Sequence, residues 1–111
     1  KMNIKLKISS RKQLNALDAR QKLSIYRIIQ EQANNIIKYA KAANVRIDIT
    51  VVSGQVRLGI SDDGVGFDPE QRKEGIGFRN IASRLTLLQG SMEIHSAPGM
   101  GCRLIIGFPA L

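Results

Sequence analysis

A single cysteine, Cys102, stands in 111 residues, so the chain can form no internal disulfide and offers no cysteine-based zinc site. A reducing, cytoplasmic setting is therefore expected. A single histidine, His95, excludes a histidine-rich metal centre. No run approaches the ~20 apolar residues with which a helix crosses a bilayer. The amino-terminal KMNIKLKISS alternates lysine with apolar residues; an export signal would be continuously apolar there, so none is expected. Aromatic residues make up only 5% and do not interleave with the basic ones, which removes the stacking platform of single-strand nucleic-acid binders. Acidic residues are also few, 9 against 17 Lys and Arg, for a net charge of +8. That excess suits a nucleic acid, a membrane surface, a polyanionic small ligand or an acidic protein, and alone selects none of them.

What is present fits one domain, residues 1–111, around one core. Met2, Ile4, Leu6 and Ile8 alternate with Lys5 and Lys7, predicting a half-buried strand over 2–8. Residues 9–18 read as a polar connection. Over 19–43 the apolar period becomes 3.6, with Ile25, Ile29, Ile36 and Ala40 on one face and Tyr26, Ala33 and Ile37 beside them. That predicts one long amphipathic helix. Val45, Ile47, Ile49 and Val51, then Val56, Leu58 and Ile60, alternate about Ser53-Gly54, the pattern of a β-hairpin. Residues 67–75 are polar and predicted to be a mobile loop. Phe78, Ile81, Leu85 and Leu88 return to helical spacing before Gly90, and two strands follow around APGMG. Short turns favour antiparallel neighbours, and two helices can cover one sheet face. The expected fold is α+β, a two-layer α/β sandwich with a mixed, mainly antiparallel sheet.

Four short stretches could carry chemistry. In ISDDGVGFD, Asp62 shares the parity of inward-facing Val56, Leu58 and Ile60, whereas Asp63 should face water. A carboxylate on an apolar face needs internal donors or a ligand's N–H; Asp-Gly is equally ordinary turn chemistry. Gly64 and Gly66 let the chain bend and let a ligand approach the backbone. On the long helix, Glu31, Asn35 and Lys38 are spaced i, i+4, i+7, within roughly a 60° stripe that the periodicity sets opposite the apolar face. Such a stripe could hold a hard cation and a phosphate, or be a solvated surface. GIGF, Gly75 to Phe78, opens a helix, where free N–H groups attract anions; a helix-opening turn explains it equally well. GMGC, Gly99 to Cys102, precedes the last strand and suits a plain hairpin.

Taken together and in this order, the four stretches resemble the nucleotide-binding domain of the ATPase and kinase superfamily that includes gyrase and the sensor histidine kinases. YRIIQEQANNIIKYA is similar to the family's N box, DDGVGF to its first glycine box and GIGF to its second. GIGFRNIASRLTLLQGSMEIHSAPGMGC resembles the two-component kinases paired with helix-turn-helix response regulators.

The resemblance implies a role for each matching position. Asp62 would accept from the adenine amino group of ATP. Asn35, with Glu31 beside it, would bind Mg²⁺ and serve catalysis. Lys38 would lie near the phosphates. Gly64, Gly66, Gly75 and Gly77 would shape the pocket and its lid, and Phe78 and Cys102 would line it. Tyr39 stands where the family often has histidine and is expected to alter packing only. Cys102 stands where threonine is common, which puts a hydroxyl-mediated contact to Asp62 in doubt. The implied partners are ATP, a histidine-bearing dimerisation domain of a homodimeric parent kinase and a response regulator, with no direct nucleic-acid contact. The domain would work in the cytoplasm as a monomer when isolated. His95 has outward parity in MEIHS and reads as a surface residue, not a phosphoacceptor. A regulatory nucleotide-binding module of the same fold, without histidine kinase activity, is the alternative.

Overall fold

The computed structural model describes residues 2–72 and 78–110. Five strands form one sheet in the order β1-β2-β3-β5-β4: β1 is Asn3–Ile8, β2 Asn44–Val52, β3 Gln55–Asp62, β4 Ser91–Ser96 and β5 Cys102–Pro109. β1 runs parallel to β2, and the other three pairings are antiparallel. The mixed, mainly antiparallel sheet expected from the sequence is the one found.

The hairpin β2–β3 closes through Ser53 and Gly54, at φ 51° and 74°. Two successive positive φ values give the turn whose twist matches paired strands. Along β3 and β5 every second residue is buried, from Val56 to Ile60 and from Cys102 to Phe108. Helix α4, Phe78–Leu87, lays Phe78, Ile81 and Leu85 onto this face, followed by Leu88. This is the set its spacing predicts. The turn after α4 puts Gln89 at φ 58°. Gly90 is needed instead for close approach, because a Cβ there would meet the Gly107 carbonyl and Phe108.

Helix α2, Ala19–Asn35, begins at Asp18, whose side chain accepts from the Gln21 N–H at 2.8 Å. Such a cap contributes about 1 kcal/mol. The expected stripe faces the core: Ile25 and Ile36 are buried, and Ile29 and Ala40 pack against it. Its flank differs, because Tyr26 and Ile37 are 60% and 65% exposed, while Ile28 and the polar Gln21, Gln32 and Asn35 are buried. Counting only apolar residues left the three buried polar ones out. The helix also ends sooner than 43. Ile36–Ala40 form a π-helical turn, and Lys41 stops it at φ 51°.

Two further expectations give way. Ile4 and Leu6 share the core-facing register of Val45 and Ile47 yet are each 58% exposed, because β1 is an edge strand beyond the helical cover. Residues 9–18 are not simply a connection: Arg11–Asn15 form the short helix α1, and Leu17 is buried. Within the loop expected over 67–75, Pro69–Arg72 form the short helix α3. The rest of that loop, including Gly75 and with it Gly77, lies outside the described residues.

Candidate functional site

The end of α2, the π-helical turn, the last residue of β3 and the first of β5 converge with Phe67 and Phe78 around a small cavity of about 30 Å³. Asp62 closes β3 and pairs with Val45 on one side and Cys102 on the other. Its parity turns the carboxylate inward, as expected. Oδ1 accepts from the Gly64 N–H at 2.8 Å. Oδ2 accepts no protein hydrogen bond among the described residues, and Asp62 lines the cavity. Burial of this half-buried group, with Asp63 nearby, raises its pKa above the ordinary 3.8 despite the Gly64 bond. It is an acceptor held at a cost, with one oxygen free for a donor.

The neighbouring Asp63 does something the sequence reading missed. Although it faces water, it accepts from the Ala43 and Asn44 N–H groups at 2.8 and 2.9 Å and from Asn44 Nδ2 at 2.8 Å. These bonds hold its pKa below the ordinary carboxylate value and fix the entry to β2. The two carboxylates therefore divide the work: Asp63 secures the backbone and Asp62 is left open.

The glycines set how close the walls come. A Cβ on Gly64 would run into the Ala40 carbonyl, which itself accepts from the Val65 N–H at 2.7 Å. Gly66 has φ 66°, and a Cβ there would strike the Ala97 carbonyl. Gly101, at φ 68°, lies against the Asp62 carbonyl. The glycine turn is tied to the β4–β5 turn by Gly99 N–H to Val65 O, 2.6 Å, and by Phe67 N–H to Ser96 Oγ, 3.0 Å. Ser96 in turn donates to the Gly101 carbonyl at 2.6 Å. Ser96 was missed as a site residue, although its inward parity beside a glycine turn was a legible signal.

Asn35 is 6% exposed and borders the cavity, with Nδ2 donating to Gln32 Oε1 at 3.0 Å. Placing it opposite the apolar face was therefore wrong. It stands at the edge of the core, and Gln32, missed from sequence, orients its amide. The π-helical turn widens the helix end, and Tyr39 also lines the cavity. Glu31 is half-buried and Lys38 exposed, and neither lines this cavity. Phe78 lines it, with its ring 5.8 Å from that of Phe67. Cys102 is buried in the wall, where desolvation and the Asp62 charge push its thiol up to about 12. His95 is exposed on the opposite sheet face, 3.0 Å from Glu93 Oε1.

A buried amide, a half-buried acceptor and glycine walls meet at this cavity. Residues 20–111 match the model of the histidine kinase-, DNA gyrase B- and HSP90-like ATPases. The chain belongs to that ATPase family. Among curated relatives of this ATPase domain, the sensor histidine kinase ComP of Bacillus subtilis is 36% identical over 89 residues, 78% of this chain and 12% of that protein. The signal transduction histidine-protein kinase/phosphatase DegS of Brevibacillus brevis is 33% identical over 88 residues, 78% of this chain and 23% of that protein. The chain thus spans a quarter or less of either. Two solved structures share its fold. The blue-light activated histidine kinase EL346 of Erythrobacter litoralis gives a TM-score of 0.83 at 19% identity, over 98% of this chain and 35% of that one. The ATP binding domain of PrrB from Mycobacterium tuberculosis gives 0.69 at 20% identity, over 80% and 69%. No helix among the described residues is long and apolar enough to cross a membrane.

Proposed function

We propose that this ATPase-family chain is the cytoplasmic catalytic domain of a two-component sensor kinase. It binds Mg-ATP and donates the γ-phosphate to a histidine on a separate dimerisation domain. The observation that carries the reading is Asp62: a desolvated carboxylate lining a glycine-walled cavity, with one oxygen tied to Gly64 and the other without a protein partner among the described residues. It accepts the adenine amino group. Gly64 and Gly66 keep the wall thin, and Phe78 and Cys102 bound the base. Asn35 and Glu31 would supply oxygen ligands to Mg²⁺, which when bound there would neutralise phosphate charge. Lys38 attends the phosphates, as do N–H groups near Gly75 and Gly77, a role that rests on family resemblance. Asn35 is held in place by Gln32. The protein's contribution is positioning and preset charge, the main resources of phosphoryl transfer.

His95 lies on the far face of the sheet, so the chain alone should bind ATP without labelling itself. The test uses radiolabelled ATP with the chain alone, with His95→Ala, and with a helical domain from a kinase relative that carries an exposed histidine. Slow, Mg²⁺-dependent labelling of the added domain is expected, because tethering is absent. Acid-labile label on the chain alone that disappears in His95→Ala overturns the reading. ATP binding with no labelling of added helices transfers it to a regulatory module.

A further inference from the structure

Among the described residues no helix covers the outer face of the sheet, and its side chains form transverse rows. In the first row Lys5, Arg46, Ser61, Arg103 and His95 stand in register across all five strands. In the next, Gly59 lies between Asp48 and Ile105; in the third, Arg57 pairs with Gly107. Small residues thus floor a lane over Ser61 and Gly59. Arginines stand on both sides of its head and one closes its foot. The lane opens a trough of about 520 Å³.

Gly59 is the informative residue. Glycine inside a strand destabilises it by about 0.5–1 kcal/mol relative to alanine. Nothing in the fold requires glycine at this position: its φ is not positive, and an added Cβ would meet nothing within 4 Å. Mid-strand glycines without a bulge mark the approach of another backbone. The charges define what approaches. Arg46 and Arg103 flank Ser61 two strand spacings apart, roughly 10 Å, and Arg57 lies four residues away along β3, about 13 Å. Arg46 touches Asp48 at 3.4 Å, while Arg57 and Arg103 have no partner among the described residues. Guanidinium forks suit carboxylates. A nucleic-acid track is a poorer fit: no Phe, Tyr or Trp stands on these outer positions to stack a base.

We propose that this trough docks an extended acidic segment of a partner protein. Its backbone passes over Gly59, with one carboxylate seated between Arg46 and Arg103 and a second at Arg57. In an extended chain, residues i and i+4 span about 13 Å on one side, so acidic residues at alternate positions match both seats. The surface lies on the opposite side of the sheet from the Asp62 cavity, and the inference does not depend on the proposed kinase activity.

The test is fluorescence anisotropy with a labelled peptide of alternating Asp and Ser. A Lys-Ser peptide and an oligothymidylate of equal charge are run beside it. Arg57→Glu is expected to weaken the acidic peptide about three- to tenfold, the range that one exposed ion pair and its reversal span. Gly59→Leu should block binding without changing charge, and without loss of fold, because its side chain enters open space. Arg27→Glu, on the exposed side of α2, makes the same charge change elsewhere and should have little effect. ATP affinity should be unchanged in all three variants. Equal losses in Arg27→Glu and Arg57→Glu would reduce the effect to net charge and overturn the proposal. So would full binding by Gly59→Leu, or tighter, Arg57-dependent binding of the oligothymidylate.

Discussion

Asp62→Asn should weaken ATP binding and stabilise the empty protein at the same time. The substituted amide keeps an oxygen for the Gly64 N–H, which now bonds Oδ1 at 2.8 Å. The atom facing the cavity changes from acceptor to donor, opposite the adenine amino group. Losing a hydrogen bond to a charged acceptor costs about 1.5–3 kcal/mol, or roughly 10- to 150-fold in Kd. Stability moves the other way. Burial raises the Asp62 pKa above 3.8, so folding favours its protonated form. That contribution is fully present below the unfolded value and is lost as pH rises through the raised folded value. At neutral pH the native protein carries the penalty of a desolvated carboxylate, and the asparagine variant does not. Asp63→Asn supplies the contrast. Its lowered pKa means its stabilisation is present above 3.8 and lost as pH falls through the folded value. It should lower stability and leave ATP affinity alone. Calorimetric titration with Mg-ATP and thermal melts of the empty proteins measure both quantities. Equal affinity losses in the two variants would refute the assignment. So would an Asp62→Asn protein that loses affinity and stability together.

Other perturbations test the walls of the cavity. Gly101→Ala places a Cβ against the Asp62 carbonyl at a backbone φ of 68° and should cost about 2–5 kcal/mol in urea unfolding; an unchanged midpoint would contradict the close approach. Asn35→Ala leaves Gln32 Oε1 without its donor, a loss of about 1–3 kcal/mol in stability. It should also weaken ATP more with Mg²⁺ than without, and an equal loss in both would remove Asn35 from the ion. Cys102, its thiol pushed up to about 12, should resist iodoacetamide at pH 8 in the native protein and react quickly in urea. Equal native and unfolded rates would show the thiol to be open.

The alternating strands were legible because a period of two has few competing explanations, and Val45 to Ile60 fall where that period places them. Helix α4 was equally plain, since its core residues are all apolar. Helix α2 was harder. Three of its buried positions, Gln21, Gln32 and Asn35, are polar, and hydropathy alone pushes them outward. The π-helical turn has no sequence mark such as Gly or Pro, so the end of the helix and the place of Tyr39 beside the cavity were invisible. Strand parity found the orientation of Asp62, but not Asp63's grip on Ala43 and Asn44, which bridges a separation of 20 residues. Ile4 and Leu6 show the limit of parity: alternation identifies a face but not whether anything covers it.

The β3–β5 seam has a kinetic consequence. β2–β3 and β4–β5 are local hairpins, whereas the seam joins Asp62 to Cys102 and Gln55 to Pro109. Loop-closure entropy opposes such distant pairings until other contacts reward them. The hairpins are therefore expected to form early and the seam late. Asp62, Cys102 and Gly101 all sit at this join, so the cavity comes into being only when the chain's most separated strands meet. Contacts made after the rate-limiting step slow unfolding and leave the folding rate unchanged. In stopped-flow traces, nucleotide should flatten the unfolding limb alone. Acceleration of refolding by the same nucleotide would mean that the seam closes before the barrier.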